Sequence, residues 1–264
     1  MAIVKSGPRV ATAAAARILF VTFVAASTTS GARAQGTSVG PPSGINIHGP
    51  DETLRNHSER DAAGVLWLVL PNGDRFELIE SIGDPAIANP GDGAFHSFEE
   101  PQVRAALAEV SYPLRSVRAE IFLLPFPRRH GLESAAAPGL ILLSPGVRPL
   151  AVEQQHAEFV HELGHVVQYA LMPDADQDRW SQYRRVRGIE DQAIPAASGA
   201  HVNRPHEIFA EDFRALFGGP TANYSGTIEN PGLVHPGAVP GLAAFFLNLT
   251  GARLDGVARL MPAP

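Results

Sequence analysis

The residues best suited to chemistry are His161-Glu162-Leu163-Gly164-His165. Two histidines at positions i and i+4 of a helix lie on one face, so both imidazoles can reach one zinc ion at about 2.0–2.1 Å. Glu162 lies about 100° around the helix from His161, too far round to be the natural third ligand. It can instead accept a hydrogen bond from a water molecule bound to the metal. Zinc lowers the pKa of such a water to about 7, so Glu162 is expected to act as the general base.

The surrounding residues predict a helix with one buried face and one face on a cleft. Gly164 lowers helix propensity by up to about 1 kcal/mol, which indicates that another element approaches closely there. The alternative is an ordinary amphipathic helix with two surface histidines. Four apolar residues form the stripe expected to face the core, and five polar residues form the stripe expected to line the cleft: Phe159, Leu163, Val166 and Ala170, and Gln154, Glu158, His161, His165 and Gln168.

A catalytic zinc site needs a third protein ligand and one open position. The chain has no cysteine, so the ligand must be a histidine or a carboxylate. The best candidate is Glu207 in the segment 205–214, with Glu211 one helical turn later on the same face. Two stacked carboxylates repel each other unless a cation lies between them. Zinc bound by Glu207, with Glu211 accepting a hydrogen bond from a ligand histidine, would supply that cation. A solvated acidic face is the alternative.

These two motifs resemble those of a known family. The sequence HELGH, followed after 41 intervening residues by EIFAEDFR, is similar to the glutamate-type zincins. The most similar members are the catalytic domain of anthrax lethal factor and the Pro-Pro endopeptidases. The resemblance covers roughly residues 151–217. It implies a zinc-dependent endopeptidase in which Glu207 binds zinc and Glu211 supports a ligand. It also implies an upper lobe whose edge strand binds extended substrate, and Leu140 to Leu143 is expected to be that strand.

The sequence departs from the family pattern at one position. Members usually carry a tyrosine seven residues before the glutamate ligand, where it stabilises the oxyanion. Here that position is Ala200, and His201 follows it. We expect His201 to take the role, because an imidazole can donate a hydrogen bond to a developing oxyanion. His206, Tyr183 and His235 are the alternatives.

The amino terminus predicts export. Basic residues precede a short apolar run from Ile18 to Ala26, and Ala32-Arg33-Ala34 offers a cleavage site, so 1–34 is expected to be a signal peptide. The run is shorter than the roughly 20 residues that span a bilayer, although an uncleaved anchor is the alternative. We therefore expect a periplasmic or extracellular protein.

Charge narrows the range of partners. The segment 1–34 holds four basic residues and no acids, so its removal takes the net charge from −6 to −10. A chain this acidic offers no electrostatic surface for nucleic acid or anionic membrane, so neither is expected as a partner. The lack of cysteine also excludes a disulfide framework and a lipid anchor on the mature terminus.

The remaining sequence predicts an α+β protein with one catalytic domain. Residues 35–60 are expected to be a flexible linker, because their first half is rich in glycine, proline and serine. Residues 61–264 are expected to form a zincin-like domain, strand-rich over 61–150 and mainly helical over 151–264. Strands are predicted over 65–70, 75–79, 117–124 and 140–143, the first two as a hairpin. Helices are predicted over 99–110, 150–171, 175–187, from 205 to about 217, and over 242–249 and 254–261.

These observations favour an exported endopeptidase with one zinc ion per chain, acting on a peptide or protein. Two other functions remain open. The protein could be a non-catalytic zinc-binding module, although Glu162 would then have no use beside an open metal position. It could also hydrolyse a non-peptide amide, although the sequence contains no cell-wall-binding repeat.

Overall fold

A computed structural model describes residues 44–189 and 200–251 of the 264-residue chain. The predicted signal peptide and the predicted helix over 254–261 lie outside these residues. The described part is α+β, with two small sheets followed by a helical region. No helix in this part of the chain is both long enough and apolar enough to cross a membrane.

The larger sheet has four strands in the order β1-β5-β7-β6. Strand β1 (Ile45–His48) pairs parallel with β5 (Ala119–Leu123), and β5 pairs parallel with β7 (Leu140–Leu143). Strand β6 (Ala135–Ala137) is antiparallel to β7 and forms the edge. The prediction that Leu140 to Leu143 is the edge strand is therefore wrong. Those residues are almost wholly apolar because β7 lies inside the sheet and is covered on both faces.

The smaller sheet consists of β2 (Ser58–Arg60), β3 (Leu66–Val69) and β4 (Arg75–Glu77). Strands β3 and β4 form the predicted antiparallel hairpin, with Trp67 opposite Glu77. This sheet packs on one face of the larger one. In β5 the side chain of Phe122 faces it, whereas Ile121 and Leu123 face the helices, as the period of two in a strand requires.

The prediction of a flexible linker over 35–60 is wrong for its second half. Residues 45–48 form β1, Pro50–Asn56 form helix α1, and 58–60 form β2. Ile47 is buried against the core, and its strand partner Ile121 lies more than seventy residues later. A four-residue strand that depends on so distant a partner leaves little local signal.

Six further helices make up the rest of the described fold. They are α2 (Glu100–Glu109), α3 (Val152–Leu171), α4 (Gln177–Arg187), α5 (Pro205–Phe217), α6 (Gly219–Ala222) and α7 (Leu242–Leu249), with 3₁₀ turns at His201–Asn203 and Pro236–Ala238. Pro205 begins α5, where a missing N–H is tolerated, and the predicted end of this helix at about residue 217 is confirmed. Helix α3 is the central one and contacts the larger sheet and helices α2, α5 and α6.

Candidate metal centre

The site is formed where α3 and α5 cross in close contact. A methyl group placed on Gly164 of α3 would lie 2.8 Å from the Cα of Ala210 and 2.9 Å from its carbonyl oxygen on α5. It would also lie 3.2 Å from the Cβ of Phe213. A side chain at position 164 would therefore push the helices apart. The close approach predicted from Gly164 is confirmed, and it brings the acidic face of α5 to the histidine face of α3.

Three side chains from these helices converge on one point. The Oε2 atom of Glu207 lies 3.1 Å from Nε2 of His165 and 3.3 Å from Nε2 of His161. A zinc ion with tetrahedral bonds of about 2.0–2.1 Å separates its ligand atoms by roughly 3.3 Å. The carboxylate oxygen of Glu207 thus lies at this spacing from each imidazole nitrogen, and all three donor atoms lie within 4.8 Å of one another. Their chemistry, two imidazoles and a carboxylate, fits zinc. These residues could hold a metal ion.

Glu211 contacts the second ring nitrogen of His161, the one that does not face Glu207. Its Oε2 atom lies 3.3 Å from Nδ1 of His161 and 2.9 Å from Nε of Arg214. Both ring nitrogens of His161 therefore face a carboxylate, one from Glu207 and one from Glu211. A histidine that binds a metal through one nitrogen commonly donates its other N–H to a carboxylate in this way.

The electrostatics of the cluster favour a cation between the two carboxylates. Burial lowers the pKa of His161, but hydrogen bonds to Glu207 and Glu211 outweigh it and raise the pKa to about 10. Burial raises the pKa of Glu211, but Arg214 and His161 bring it down to about 2. The pKa of Glu207 is likewise lowered by its histidine partners, against the effect of burial. Without a metal, a proton on His161 supplies the charge that a divalent ion would supply more strongly.

The pKa of Glu162 is shifted in the opposite direction from those of Glu207 and Glu211. Its side chain lies in the cleft wall but is largely buried, and burial raises its pKa to about 7, against the lowering effect of His161. A carboxyl group with a pKa near the working pH can both accept and return a proton.

The cluster opens into a cleft of about 1150 Å³. Its walls come from edge strand β6, helices α3 and α5, the 3₁₀ turn with His201, and residues 224–229. Four of the five predicted cleft residues of α3 line it, namely Gln154, Glu158, His161 and His165. Gln168 does not. It is fully buried and its amide nitrogen donates to the carbonyl of Met172 at the end of the helix.

His201 lies beside the candidate ligands. Its Nε2 atom is 3.4 Å from Oε1 of Glu207, and its Nδ1 atom is 3.7 Å from Oε2 of Glu229. The side chain is 54% exposed and lines the cleft, so it can reach a ligand there.

Of the three alternatives to His201 as the oxyanion donor, only one lines the cleft. Tyr183 is completely buried, and its hydroxyl donates to Asp212 at 2.8 Å, which removes it from the cleft. His235 does not line the cleft, and its Nδ1 accepts a hydrogen bond from the amide of Gly237. His206 does line it, with Nε2 2.8 Å from Oδ1 of Asp174.

Two phenols in the cleft were missed by the sequence reasoning. Tyr169 stands one helical turn beyond His165, so its i+4 spacing could have revealed it. Burial raises the pKa of Tyr169, as do the charges of Asp174, Glu207 and Glu162. Tyr224 follows α6, and nothing in its local sequence indicates that it would reach the site.

Comparison with known proteins finds no matching family model, no matching curated protein and no matching solved structure.

Proposed function

We propose that the protein is an exported, zincin-like endopeptidase that holds one zinc ion through His161, His165 and Glu207. The observation that carries the proposal is that an oxygen of Glu207 lies 3.1–3.3 Å from a nitrogen of each histidine, beside the buried carboxyl group of Glu162. A structural zinc site would be closed by a fourth protein ligand. Among the described residues, the group that contains Glu207 and both histidines has three members, which leaves a position open for chemistry.

Zinc in this site would polarise the scissile carbonyl and lower the pKa of an attacking water. Glu162 takes up the proton that the water loses and delivers it to the leaving amine nitrogen. Its raised pKa suits both steps, since the same carboxyl group must be a base first and an acid afterwards. Glu211 holds the orientation of His161 through the bond to Nδ1.

The developing oxyanion needs a hydrogen-bond donor on the far side of the carbonyl. We assign this role to His201, which faces the cleft and approaches Glu207 at 3.4 Å. Tyr169 and Tyr224 are the competing donors, because their phenols line the same cleft.

Substrate binding is assigned to the edge strand β6. Strand β7 pairs with one side of it, and Ala135 and Ala136 line the cleft. An extended peptide could add to the free side of β6 through backbone hydrogen bonds. A cleft of about 1150 Å³ has room for several residues of such a peptide. This favours a peptide over a small amide as the substrate.

The proposal is tested with the purified mature chain and a peptide library. We expect one zinc ion per chain, internal cleavage of library peptides, loss of cleavage on treatment with a chelator, and its return when zinc is restored. A matched library of substrates blocked by N-methylated backbone amides should be cleaved poorly, because pairing with β6 would be lost. Cleavage that persists in the metal-free protein would refute the proposal.

A further inference from the structure

The buried cation Arg214 joins two parts of the site that the sequence does not connect. Its side chain is 7% exposed, and it donates five hydrogen bonds from its three nitrogens. Two of these go to the carboxylate of Glu211, one through Nε and one through Nη2. The other three leave helix α5 and reach Ala222, the last residue of α6, and the segment that follows it. Arg214 is thus a bridge and not simply the partner of one acid.

We define that segment, residues 223–230, as the cleft loop, because most of its residues line the cleft. Arg214 holds the start of the loop through Oδ1 of Asn223 at 3.1 Å, and it also binds the carbonyl of the preceding residue, Ala222, at 2.6 Å. It holds the middle through the carbonyl of Thr227 at 2.9 Å. The amide of Glu229 donates to Oε1 of Glu211 at 3.0 Å.

The far end of the cleft loop is joined to the turn that carries His201. The Nδ2 atom of Asn230 donates to the carbonyl of Val202 at 2.9 Å and to Oδ1 of Asn203 at 2.7 Å. The loop therefore spans the distance between α5 and the 3₁₀ turn. A shift at the end of the loop would therefore be transmitted through Asn230 to the turn that carries His201.

Glu211 completes the connection to the candidate metal ligands. One of its oxygens receives the amide of Glu229, and the other faces Nδ1 of His161. Arg214 donates to both oxygens. A single carboxylate is thus shared by a candidate ligand, a buried cation and the cleft loop. It can satisfy all of them only in one orientation.

We propose that Arg214 is a positioning residue that links occupancy of the metal site to the order of the cleft loop. The inference rests on the proposed function, since it assumes that His161 binds zinc. Zinc bound at Nε2 would hold His161 more firmly than a proton does in the orientation that donates to Glu211, and this in turn would fix the acceptors used by Arg214 and by the loop. Linkage is reciprocal, so order in the loop must strengthen zinc binding by the same factor. Lysine cannot replace Arg214, because its single nitrogen cannot reach both the carboxylate and two stretches of backbone.

The test measures amide hydrogen exchange in peptides that cover 222–230, with and without zinc, and uses a peptide from α2 as an internal reference. In the wild type, zinc should slow exchange in the loop about tenfold, within the usual range for coupled sites. In Arg214→Lys the zinc-dependent slowing should fall below about twofold, and zinc affinity, measured by competition with a chelator, should drop about tenfold.

Arg187→Lys is the matched control. Arg187, the last residue of α4, is also buried, and it pairs at 2.8 Å with Asp212, which follows Glu211 on α5. This variant should lose stability but keep the effect of zinc on the loop. If Arg214→Lys does not fold, the same hydrogen-exchange measurement is made on Glu211→Gln, which leaves Arg214 in place and removes the shared carboxylate. It too should lose the zinc-dependent slowing.

The outcomes separate this inference from the proposed function. If zinc binds the wild type but does not slow exchange in the loop, the linkage is refuted and the peptidase proposal stands. The same holds if Arg214→Lys keeps the full zinc-dependent slowing. If the wild type binds no zinc, both proposals fail.

Discussion

The hydroxyl of Ser134 donates a hydrogen bond of 2.5 Å to Oε1 of Glu158. Ser134 directly precedes edge strand β6, and Glu158 lies on α3 one helical turn before Glu162. The same Oγ atom accepts the amide of Ser144 at 3.0 Å, at the end of β7. One hydroxyl thus fixes the edge strand to the helix that carries the candidate ligands. Under the proposed function, the position of a peptide bound to β6 relative to Glu162 would depend on this contact.

Ser134→Ala should therefore weaken substrate binding more than it slows chemistry. Loss of a hydrogen bond to a charged group is worth about 1.5 kcal/mol, which corresponds to a KM about tenfold higher with kcat little changed. Ser134→Thr keeps the hydroxyl and should restore most of the binding. Ser81→Ala, which removes a hydroxyl from an exposed turn, is the control and should behave as the wild type. A fall in kcat at constant KM would contradict this role.

Gly164→Ala should destabilise the protein by about 1–3 kcal/mol, because the added methyl group meets the backbone of Ala210 at 2.8 Å. Moving α5 away would also separate Glu207 from the two histidines, so zinc affinity should fall as well. Urea unfolding and chelator competition measure the two effects. Gly83→Ala is the control, since its methyl group would have only Ser81 Oγ within 4 Å, at 3.6 Å. Equal stability of the two variants would show that the helix crossing tolerates a side chain.

His201→Ala should lower kcat about 100-fold with the zinc content unchanged, as expected for loss of an oxyanion donor. Tyr169→Phe and Tyr224→Phe are the companion variants, because each removes one hydroxyl from the same cleft. Each should stay within about threefold of the wild type. If one of the phenylalanine variants shows the large loss and His201→Ala does not, the assignment passes to that tyrosine.

Zinc should stabilise the fold, because the ligand set exists only when α3 and α5 are packed together. At a free zinc concentration 100 times Kd, the gain is about 2.7 kcal/mol. For a domain of this size that raises Tm by about 5–10 °C, measured by thermal unfolding with and without chelator. His165→Ala should abolish the increase. An equal increase in that variant would mean that zinc binds elsewhere.

The helical half of the site could be predicted from the sequence because its signals are local. The i, i+4 spacings of His161 with His165 and of Glu207 with Glu211 each define a helix face, and Gly164 indicates where the helices meet. That the two faces meet could also be predicted. The chain has no cysteine, so a pair of histidines that binds zinc needs a carboxylate or a further histidine as the third ligand.

The strand-rich half could be predicted only in part. The hairpin of β3 and β4 has a local turn signal. Strands β1 and β6 are short and depend on pairing with β5 and β7, so their own residues carry little signal. The family resemblance led to Leu140 to Leu143 as the edge strand, because it belongs to the predicted strand pair that precedes the helix with His161. Three alanines in β6 carry no comparable pattern, although they form the edge. Arg214 was overlooked for a similar reason, since most of its acceptors are backbone carbonyls and loop residues that no pattern identifies.

The most direct measurement compares peptide cleavage and zinc content in the wild type and in Glu162→Gln. Glutamine preserves the shape of the side chain and leaves His161, His165 and Glu207 untouched, but it cannot accept the proton from the attacking water. Glu133→Gln, which neutralises another acid in the same cleft, controls for the change in charge. We predict one zinc ion per chain in all three proteins and loss of cleavage, by at least about 1000-fold, in Glu162→Gln alone. A zinc-loaded Glu162→Gln protein that cleaves peptides as fast as the wild type would contradict the account.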